Sequence, residues 1–180
     1  MPRAKPDRSL RRLMVRRKPG EPRRGVLVAG QLALPVALGR TGIKANKREG
    51  DGATPRGNFR LKRLWWRADR HPRPRTLLPT RRIRANDGWC EDPRDRHYNQ
   101  PIKLPLGSNA DRLARTDNLY DFIIEIDHNT LPRIAGRGSA VFIHAARPEF
   151  APTAGCVALD IVALRRLLSR VGPRTRIMVE

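Results

Sequence analysis

Two residues toward the end of the chain have the side chains of a thiol nucleophile and its base. His144 ends the apolar run Phe142-Ile143-His144, and Cys156 follows twelve residues later. A free thiol has a pKa of about 8.5, and a neighbouring imidazole lowers it to roughly 3.5–7.5, which gives the reactive thiolate at neutral pH. We therefore expect His144 to activate Cys156.

The residues just before the cysteine are expected to shape the backbone around it. Gly155 permits a sharp turn and places no Cβ in the path of a substrate. The N–H groups of Gly155 and Cys156 are then available to a developing oxyanion, and Thr153 and Ala154 complete this loop. The alternative is structural, because a lone cysteine is often only a small buried hydrophobe.

A second segment, residues 47–59, favours the catalytic interpretation. It reads Lys-Arg-Glu-Gly-Asp-Gly-Ala-Thr-Pro-Arg-Gly-Asn-Phe and includes a Thr-Pro-x-Gly-x-Phe turn. Followed in order by His144 and by the Thr-Ala-Gly-Cys sequence at 153–156, it resembles the signature of L,D-transpeptidase catalytic domains of the YkuD type. The resemblance covers roughly residues 25–179, with a divergent middle.

The chain departs from that family's pattern in three places. Ala154 stands where many members have histidine, and Ala158 stands where many have arginine or asparagine. The spacing from His144 to Cys156 is also shorter than usual. The two substitutions concern substrate anchoring more than the chemistry, and the short spacing predicts a tight loop over 145–152 beside the site.

The resemblance implies an enzyme that acts on peptidoglycan stem peptides. The thiol would attack the carbonyl at the L-centre of the diamino acid, expel the terminal D-alanine and form a thioester. An amine acceptor would then give a 3→3 cross-link or an attachment to another protein, as in an L,D-transpeptidase. Water would instead give an L,D-carboxypeptidase that trims tetrapeptides in peptidoglycan recycling, and the sequence leaves this choice open.

Backbone and arginine groups are expected to complete the site. A carbonyl near Gly138 and Ser139, just before the histidine, is expected to fix its tautomer, because no acidic residue is obviously placed to do so. Arg147 is a candidate anchor for a substrate carboxylate, since a guanidinium binds carboxylates with two hydrogen bonds. The alternative for Arg147 is a solvated loop residue.

The region from Trp65 to Gln100 is rich in Arg, Pro, Asp and Trp and lacks periodicity. It is too long for an ordinary connection, so we interpret it as a long irregular insertion that roofs the cleft. Trp89 and Tyr98 in this region are candidates to stack on the substrate, although packing is the commoner role of tryptophan.

The composition describes a strongly basic chain. Its 180 residues include 38 Lys and Arg against 17 Asp and Glu, which gives a formal net charge of +21. Such a charge favours carboxylate-rich substrates, anionic membrane surfaces or nucleic acid. Nucleic acid is the weaker interpretation, because aromatic residues make up only 5% of the chain and no nucleic-acid-binding motif is present.

No cofactor or metal is expected, because there is no CxxC motif and the four histidines are scattered. Cys90 is expected to be a packed thiol, since a disulfide to Cys156 would block the nucleophile. Neither a secretory signal peptide nor a transmembrane segment is visible. The substrate implies the periplasm or cell envelope, the missing leader allows the cytoplasm, and the compartment and oligomeric state stay open.

The length predicts one catalytic domain over 25–180, preceded by a basic arm. Residues 1–24 hold ten Lys and Arg against two acidic residues and few apolar ones, which indicates disorder. The predicted fold class is mainly β, a β-sandwich of the L,D-transpeptidase type with a C-terminal helix. Alternating or short apolar runs predict strands, and helical apolar spacing predicts the helix over 159–171, ended by Gly172-Pro173; the strands are expected over 25–30, 32–38, 59–64, 119–126, 139–143 and 175–179.

Overall fold

The computed structural model describes residues 9–105 and 109–180. Within these ranges the chain forms fourteen β-strands and one α-helix, α1, at Ile161–Leu168. The strands are β1 Arg12–Lys18, β2 Glu21–Ala29, β3 Leu32–Ala37, β4 Ile43–Lys44, β5 Thr54–Pro55, β6 Gly57–Trp66, β7 Thr80–Arg82, β8 Asp87–Cys90, β9 Pro101–Lys103, β10 Ala110–Arg112, β11 Phe122–Ile126, β12 Phe142–Ala145, β13 Val157–Leu159 and β14 Arg176–Val179.

Nine strands form one main sheet in the order β11-β12-β13-β3-β2-β1-β14-β6-β7. The long strand β6 pairs with β14 through residues 57–60 and with β11 through residues 61–66. The first strand of the order, β11, therefore pairs with β6, the last but one, and the sheet closes on itself while β7 adds to β6. The mainly β fold class is confirmed, and a single closed sheet supplies the walls around the core.

The core inside this sheet follows from the two-residue period of the strands. In β1, Leu13 and Val15 are fully buried, whereas Arg12 and Arg16 are exposed. Helix α1 adds Leu164, Leu167 and Leu168 to the same cluster. Its first turn is capped by Asp160, whose carboxylate accepts hydrogen bonds from two backbone N–H groups of the helix.

A smaller sheet, in the order β10-β8-β9, accompanies a second hydrophobic cluster. Trp89 of β8 packs edge-on against Trp65, with ring centroids 6.2 Å apart, and against Phe142 of β12, at 5.0 Å. Cys156 belongs to this second cluster. The small sheet thus covers the part of the main sheet that carries the candidate catalytic residues.

One sequence prediction about these regions is incomplete and another is wrong. The segment 65–100 is mostly irregular, as predicted, but it also completes β6 and forms β7 and β8, whose shortness hides their periodicity. Residues 12–24 are not a disordered arm, because they form β1 and the start of β2. The arginines of β1 occupy its outer face and leave only alternate positions for the core. Residues 1–8 of the predicted arm lie outside the described residues.

The other boundaries are close to those predicted. The helix ends at Leu168, three residues before the expected end, and the predicted C-terminal strand is observed as β14. His144 lies inside β12 rather than after it. In residues 9–105 and 109–180, no helix combines the length and the apolar character required to cross a membrane.

Candidate active site

Cys156 and His144 lie in the wall of the same cavity, which has a volume of about 370 Å³. His144 is on β12, and Cys156 directly precedes β13, the parallel neighbour of β12. Two residues that are twelve apart in sequence meet because the loop between them returns the chain to the same end of adjacent strands. That loop is tight, as predicted, and contains a 3-10 turn at Pro148–Phe150.

The imidazole of His144 is oriented by the backbone. Its Nδ1 lies 2.7 Å from the carbonyl oxygen of Ala145, so Nδ1 carries the proton in this bond and Nε2 is left as an acceptor. The prediction that Gly138 or Ser139 supplies this carbonyl is therefore wrong. Every residue has a carbonyl, so the sequence carried no signal for the one that immediately follows the histidine.

Burial keeps the imidazole neutral. Desolvation lowers the pKa of His144 to about 4, and the positive charges of Arg147 and Arg115 act in the same direction. The neutral ring is the form that accepts a proton, so His144 has the protonation state of a general base at neutral pH.

The thiol of Cys156 is held by the backbone on the β12 side. Its Sγ donates to the carbonyl of Ala140 at 3.2 Å and accepts from the N–H of Phe142 at 3.3 Å. Desolvation raises the pKa of Cys156 to about 12, although the N–H of Phe142 opposes the shift. The predicted lowering of the thiol pKa is wrong for this arrangement, because both groups are buried and an ion pair would have to form in a medium of low dielectric.

The residue that accepts from the thiol has an unusual backbone. Ala140 has a φ of +50°, in the left-handed region that non-glycine residues seldom adopt. Its N–H donates to the Oδ1 of Asn99, which holds it in this conformation. Strain of this kind is concentrated at functional sites, and here it directs a carbonyl toward the thiol of Cys156.

Gly155 is required by close contact as well as by conformation. Its φ is +147°, and a Cβ at this position would lie 2.7 Å from the carbonyl oxygen of Ala53. Its N–H donates to the Oγ1 of Thr153, which in turn donates to the carbonyl of Cys156. The Gly155 N–H is therefore already engaged, contrary to the prediction, and within this pair the Cys156 N–H remains the candidate oxyanion donor.

The segment Lys47–Asp51 buttresses both loops of the site. Lys47 is buried and lies 2.6 Å from Asp51, and the Asp51 carboxylate also accepts from the N–H groups of Arg48 and Ala53. Ala53 is the residue whose carbonyl packs against Gly155. The two sequence motifs therefore meet in space, with the first supporting the turn of the second.

Glu49 ties the same segment to the chain that precedes β12. Its Oε2 accepts from the hydroxyls of Ser139, at 2.7 Å, and Tyr98. The Tyr98 hydroxyl also accepts from the N–H of Gly138. Sequence reasoning missed Lys47 and Glu49 as site residues, although the motif that contains them was the available signal.

The two aromatic candidates do not line the cavity. Trp89 is 3% exposed and donates through Nε1 to Asn99, and Tyr98 is equally buried in the network just described. Their predicted stacking on the substrate is wrong in this structure. Tyr120 is the aromatic residue of the cavity wall, and its ring meets that of His144 edge-on at 5.3 Å.

Three arginines bring positive charge to the cavity, and one of them, Arg115, pairs with Asp117 at 2.6 Å. Arg147 is exposed, and its Nη1 donates to the carbonyl of Pro152. Arg40, which sequence reasoning missed, donates through Nη2 to the carbonyl of Gly50, and its backbone N–H donates to Thr153. Neither guanidinium is among the ion pairs formed within 4 Å by residues 9–105 and 109–180.

Three carboxyl groups also face the cavity, those of Glu49, Glu91 and Asp111. Burial, together with the charges of Asp111 and Glu49, raises the pKa of Glu91 to about 7. Burial also raises the pKa of Asp111, which accepts a hydrogen bond from the Tyr120 hydroxyl. The cavity is therefore dipolar, and it combines guanidinium groups with carboxyl groups.

Two further features concern cysteine and metal chemistry. Cys90 and Cys156 are both buried and are not joined by a disulfide. Across the part of the chain that the structure describes, no group of three or more His, Cys, Asp or Glu side chains is arranged to hold a metal ion.

Comparison with known proteins gives one result at the level of family. The model of the YkuD family, described as the L,D-transpeptidase catalytic domain, matches residues 13–179. No curated protein matches the chain, and no solved structure matches it.

Proposed function

Because this chain belongs to the YkuD family of L,D-transpeptidase catalytic domains, we propose that it is a cysteine acyltransferase whose acyl donor is a peptidoglycan stem peptide. The observation that carries the proposal is the shared cavity of Cys156 and a neutral His144 with a free Nε2. Thiol and imidazole are the two groups that acyl transfer through a thioester requires.

In the acylation step, Sγ of Cys156 attacks the carbonyl at the L-centre of the diamino acid. Nε2 of His144 takes the thiol proton as the new S–C bond forms, because the raised pKa of Cys156 leaves little thiolate beforehand. The Cys156 N–H faces the developing oxyanion. Collapse of the tetrahedral intermediate breaks the C–N bond, His144 returns the proton to the leaving amine, and D-alanine departs from the thioester.

In the second step, an amine attacks the thioester carbonyl and His144 takes its proton. The C–S bond then breaks, the thiolate of Cys156 is reprotonated and the product is an amide cross-link. The carboxyl groups of Glu49, Glu91 and Asp111 support an amine acceptor, because they attract its ammonium form into the cavity and can accept the proton that it must lose before the neutral amine attacks. Water in the same position would give an L,D-carboxypeptidase, which remains the alternative.

Arg40 and Arg147 are the proposed anchors for the substrate's carboxylates. Both line the cavity beside the loop that carries Cys156, and both have donor groups to spare. Ala158, where many family members have a longer polar residue, is 1% exposed in β13 and does not line the cavity. The two arginines thus offer this chain a different source of carboxylate binding.

Intact-mass measurement tests the nucleophile. Incubation with a carbapenem, a class of inhibitor that acylates this family, should add one adduct to the wild type and to Cys90→Ala but none to Cys156→Ala. An adduct on Cys156→Ala, or full turnover by that variant, would contradict the assignment.

Product analysis tests the acceptor. With tetrapeptide and abundant amine acceptor, a transpeptidase gives the cross-linked dimer. Tripeptide as the sole product under these conditions would rule out transpeptidation and establish the carboxypeptidase.

A further inference from the structure

The loop that joins β11 to the catalytic strand β12 exposes large apolar side chains. Leu131 is 96% exposed and Ile134 is 50% exposed, and Pro132 between them is also exposed. The other exposed large hydrophobic residues of the described chain, at 37–55%, occur singly in β2, in the loop before β7 and in α1; they are Val28, Leu77 and Val162. A nearly complete exposure of leucine beside a second aliphatic residue differs from the scattered apolar residues of ordinary surfaces.

Hydrogen bonds hold this loop in its exposed conformation. The side chain of Asn129 donates to the carbonyls of Ile134 and Gly138, and its Oδ1 accepts from the N–H of Ile134. Asn99 donates to the carbonyl of Asn129 and so joins the loop to the body of the protein. The exposed side chains therefore project from a braced loop and cannot simply fold back onto the core.

Positive charge flanks the apolar residues. Arg133 and Arg137 are both exposed in the same loop, and Arg137 donates to the side chain of Asn46. A shallow cavity of about 320 Å³ lies beside the loop and includes Leu131, Ile134 and Arg137 in its wall. Lys47 lines both this cavity and the catalytic one, so the two are adjacent.

We propose that the loop over residues 129–137 docks the protein on an anionic lipid bilayer. Leu131 and Ile134 would enter the boundary between headgroups and acyl chains, and Arg133 and Arg137 would bind lipid phosphates. A net charge of +21 supplies long-range attraction to such a surface. The proposal does not depend on the proposed chemistry, but docking would hold the catalytic cavity close to the membrane surface.

A bilayer fits this loop better than the other anionic partner that the charge allows. Nucleic acid presents phosphates to arginine but offers a fully exposed leucine no apolar layer to enter. A bilayer offers phosphates at its surface for the two arginines and an apolar layer beneath them for Leu131 and Ile134. The combination of a braced aliphatic tip and flanking guanidinium groups therefore determines the choice of partner.

Vesicle sedimentation with the full chain tests the proposal. We expect binding to phosphatidylglycerol–phosphatidylcholine vesicles and little binding to phosphatidylcholine alone. The double variant Leu131→Asp/Ile134→Asp should lower the partition coefficient at least about tenfold, because two buried aliphatic side chains are lost and two like charges are added. The matched control Leu77→Asp/Val162→Asp makes the same charge change at exposed positions elsewhere and should lower it by far less.

Several results would overturn the inference. Equal losses in the two double variants would mean that net charge alone causes binding. Concentration-dependent self-association that only the loop variant abolishes would identify a second copy as the partner, and loop-dependent binding of duplex DNA without vesicle binding would identify nucleic acid. The variant Leu131→Trp keeps an apolar side chain at an exposed position and so does not disturb folding. The fluorescence of the added tryptophan should shift to shorter wavelength with anionic vesicles. An unchanged spectrum would contradict insertion.

Discussion

His144 and Cys156 have opposite shifts of pKa for the same reason. Burial disfavours the charged form of each group, so the imidazole pKa falls to about 4 and the thiol pKa rises to about 12. Between these values the resting pair is a neutral thiol beside a neutral base. Proton transfer must then accompany the attack on the substrate, which makes the position of Nε2 more important than the charge on sulfur.

Alkylation of the thiol should therefore depend steeply on pH. We expect the rate of reaction of Cys156 with iodoacetamide to keep rising through pH 9, because the thiolate fraction grows until the pKa of about 12. The measurement is the rate of mass gain from pH 5 to 10 in the Cys90→Ala background. A plateau between pH 6 and 8 would indicate a preformed ion pair and contradict this expectation.

Removal of the base should affect turnover by a large factor. His144→Ala is expected to lower the acylation rate on the order of 10²-fold or more, since a placed proton acceptor contributes 10²–10⁴. In the wild type, kcat/KM should fall as pH drops through about 4, where His144 becomes protonated. An acid limb near pH 6.5 would show that the imidazole is more solvated than its burial indicates.

Glu91 gives a prediction about stability. The pKa of Glu91 in the folded protein is about 7, above its ordinary value, because burial disfavours the charged carboxylate. Its contribution to the free energy of unfolding is therefore fully present below about pH 4.5, where the carboxyl is protonated in both states, and is lost as pH rises through 7. Glu91→Gln should therefore stabilise the protein at pH 8, on the order of 1 kcal/mol after allowance for partial exposure. Thermal melts should show a rise of a few degrees at pH 8 and no rise at pH 4.5.

The matched control is Glu149→Gln, which changes an exposed acidic residue and should leave both melting temperatures nearly unchanged. Equal stabilisation of the two variants would attribute the effect to the net charge of the whole chain and would contradict the local explanation.

The residue types of the site were predictable, but its electrostatics were not. The two motifs indicated His144 and Cys156, and the structure places them in one cavity. Their pKa shifts depend on burial beneath the small sheet β10-β8-β9 and its aromatic cluster. The strands of this small sheet are too short for hydrophobic periodicity to predict them. Arg40 lies over a hundred residues from Cys156 in sequence, and it reaches the cavity because β3 pairs with β13 and Gly39 pairs with Thr153.

At the level of elements, β1 shows how composition can mislead. Four of its seven residues are Arg or Lys, which indicates disorder when the segment is read by charge alone. In the sheet, β1 lies between β2 and β14, so both its edges are paired. Positions 12, 14 and 16 lie on the outer face and accept charged or partly exposed side chains, so the two buried residues Leu13 and Val15 suffice for a strand that is paired at both edges.

Paired substitutions in β1 test this arrangement. Leu13→Ala should destabilise the protein by about 2–5 kcal/mol, because it leaves a cavity in the core, whereas Met14→Ala on the outer face should cost less than about 1 kcal/mol. Chemical denaturation of both variants measures the difference. Similar small losses would mean that residues 12–18 form the loosely held arm that their composition indicates.

At the scale of the whole molecule, the charge of +21 surrounds a cavity that also contains acidic groups. We expect the positive exterior to attract carboxylate-bearing substrates from a distance and the dipolar interior to orient them. Raising the salt concentration from about 20 to 300 mM shortens the Debye length from roughly 20 Å to about 6 Å. We expect KM for a stem-peptide donor to rise several-fold over this range while kcat changes little.

The control substrate is the same donor with amidated carboxyl groups, whose KM should depend much less on salt. A salt-dependent fall in kcat with an unchanged KM would place the electrostatic effect in the chemical step and would contradict a role in attraction.

The position of β14 has a consequence for how the protein is made. This strand lies between β1 and β6, so the sheet stays open until Val179 has emerged from the ribosome. Until then the nascent chain exposes two unpaired edges, which favours aggregation and chaperone binding. A premature stop codon just before Arg176 would leave Cys156 and His144 intact in the sequence, yet its product would be a target for proteolysis rather than a shortened enzyme.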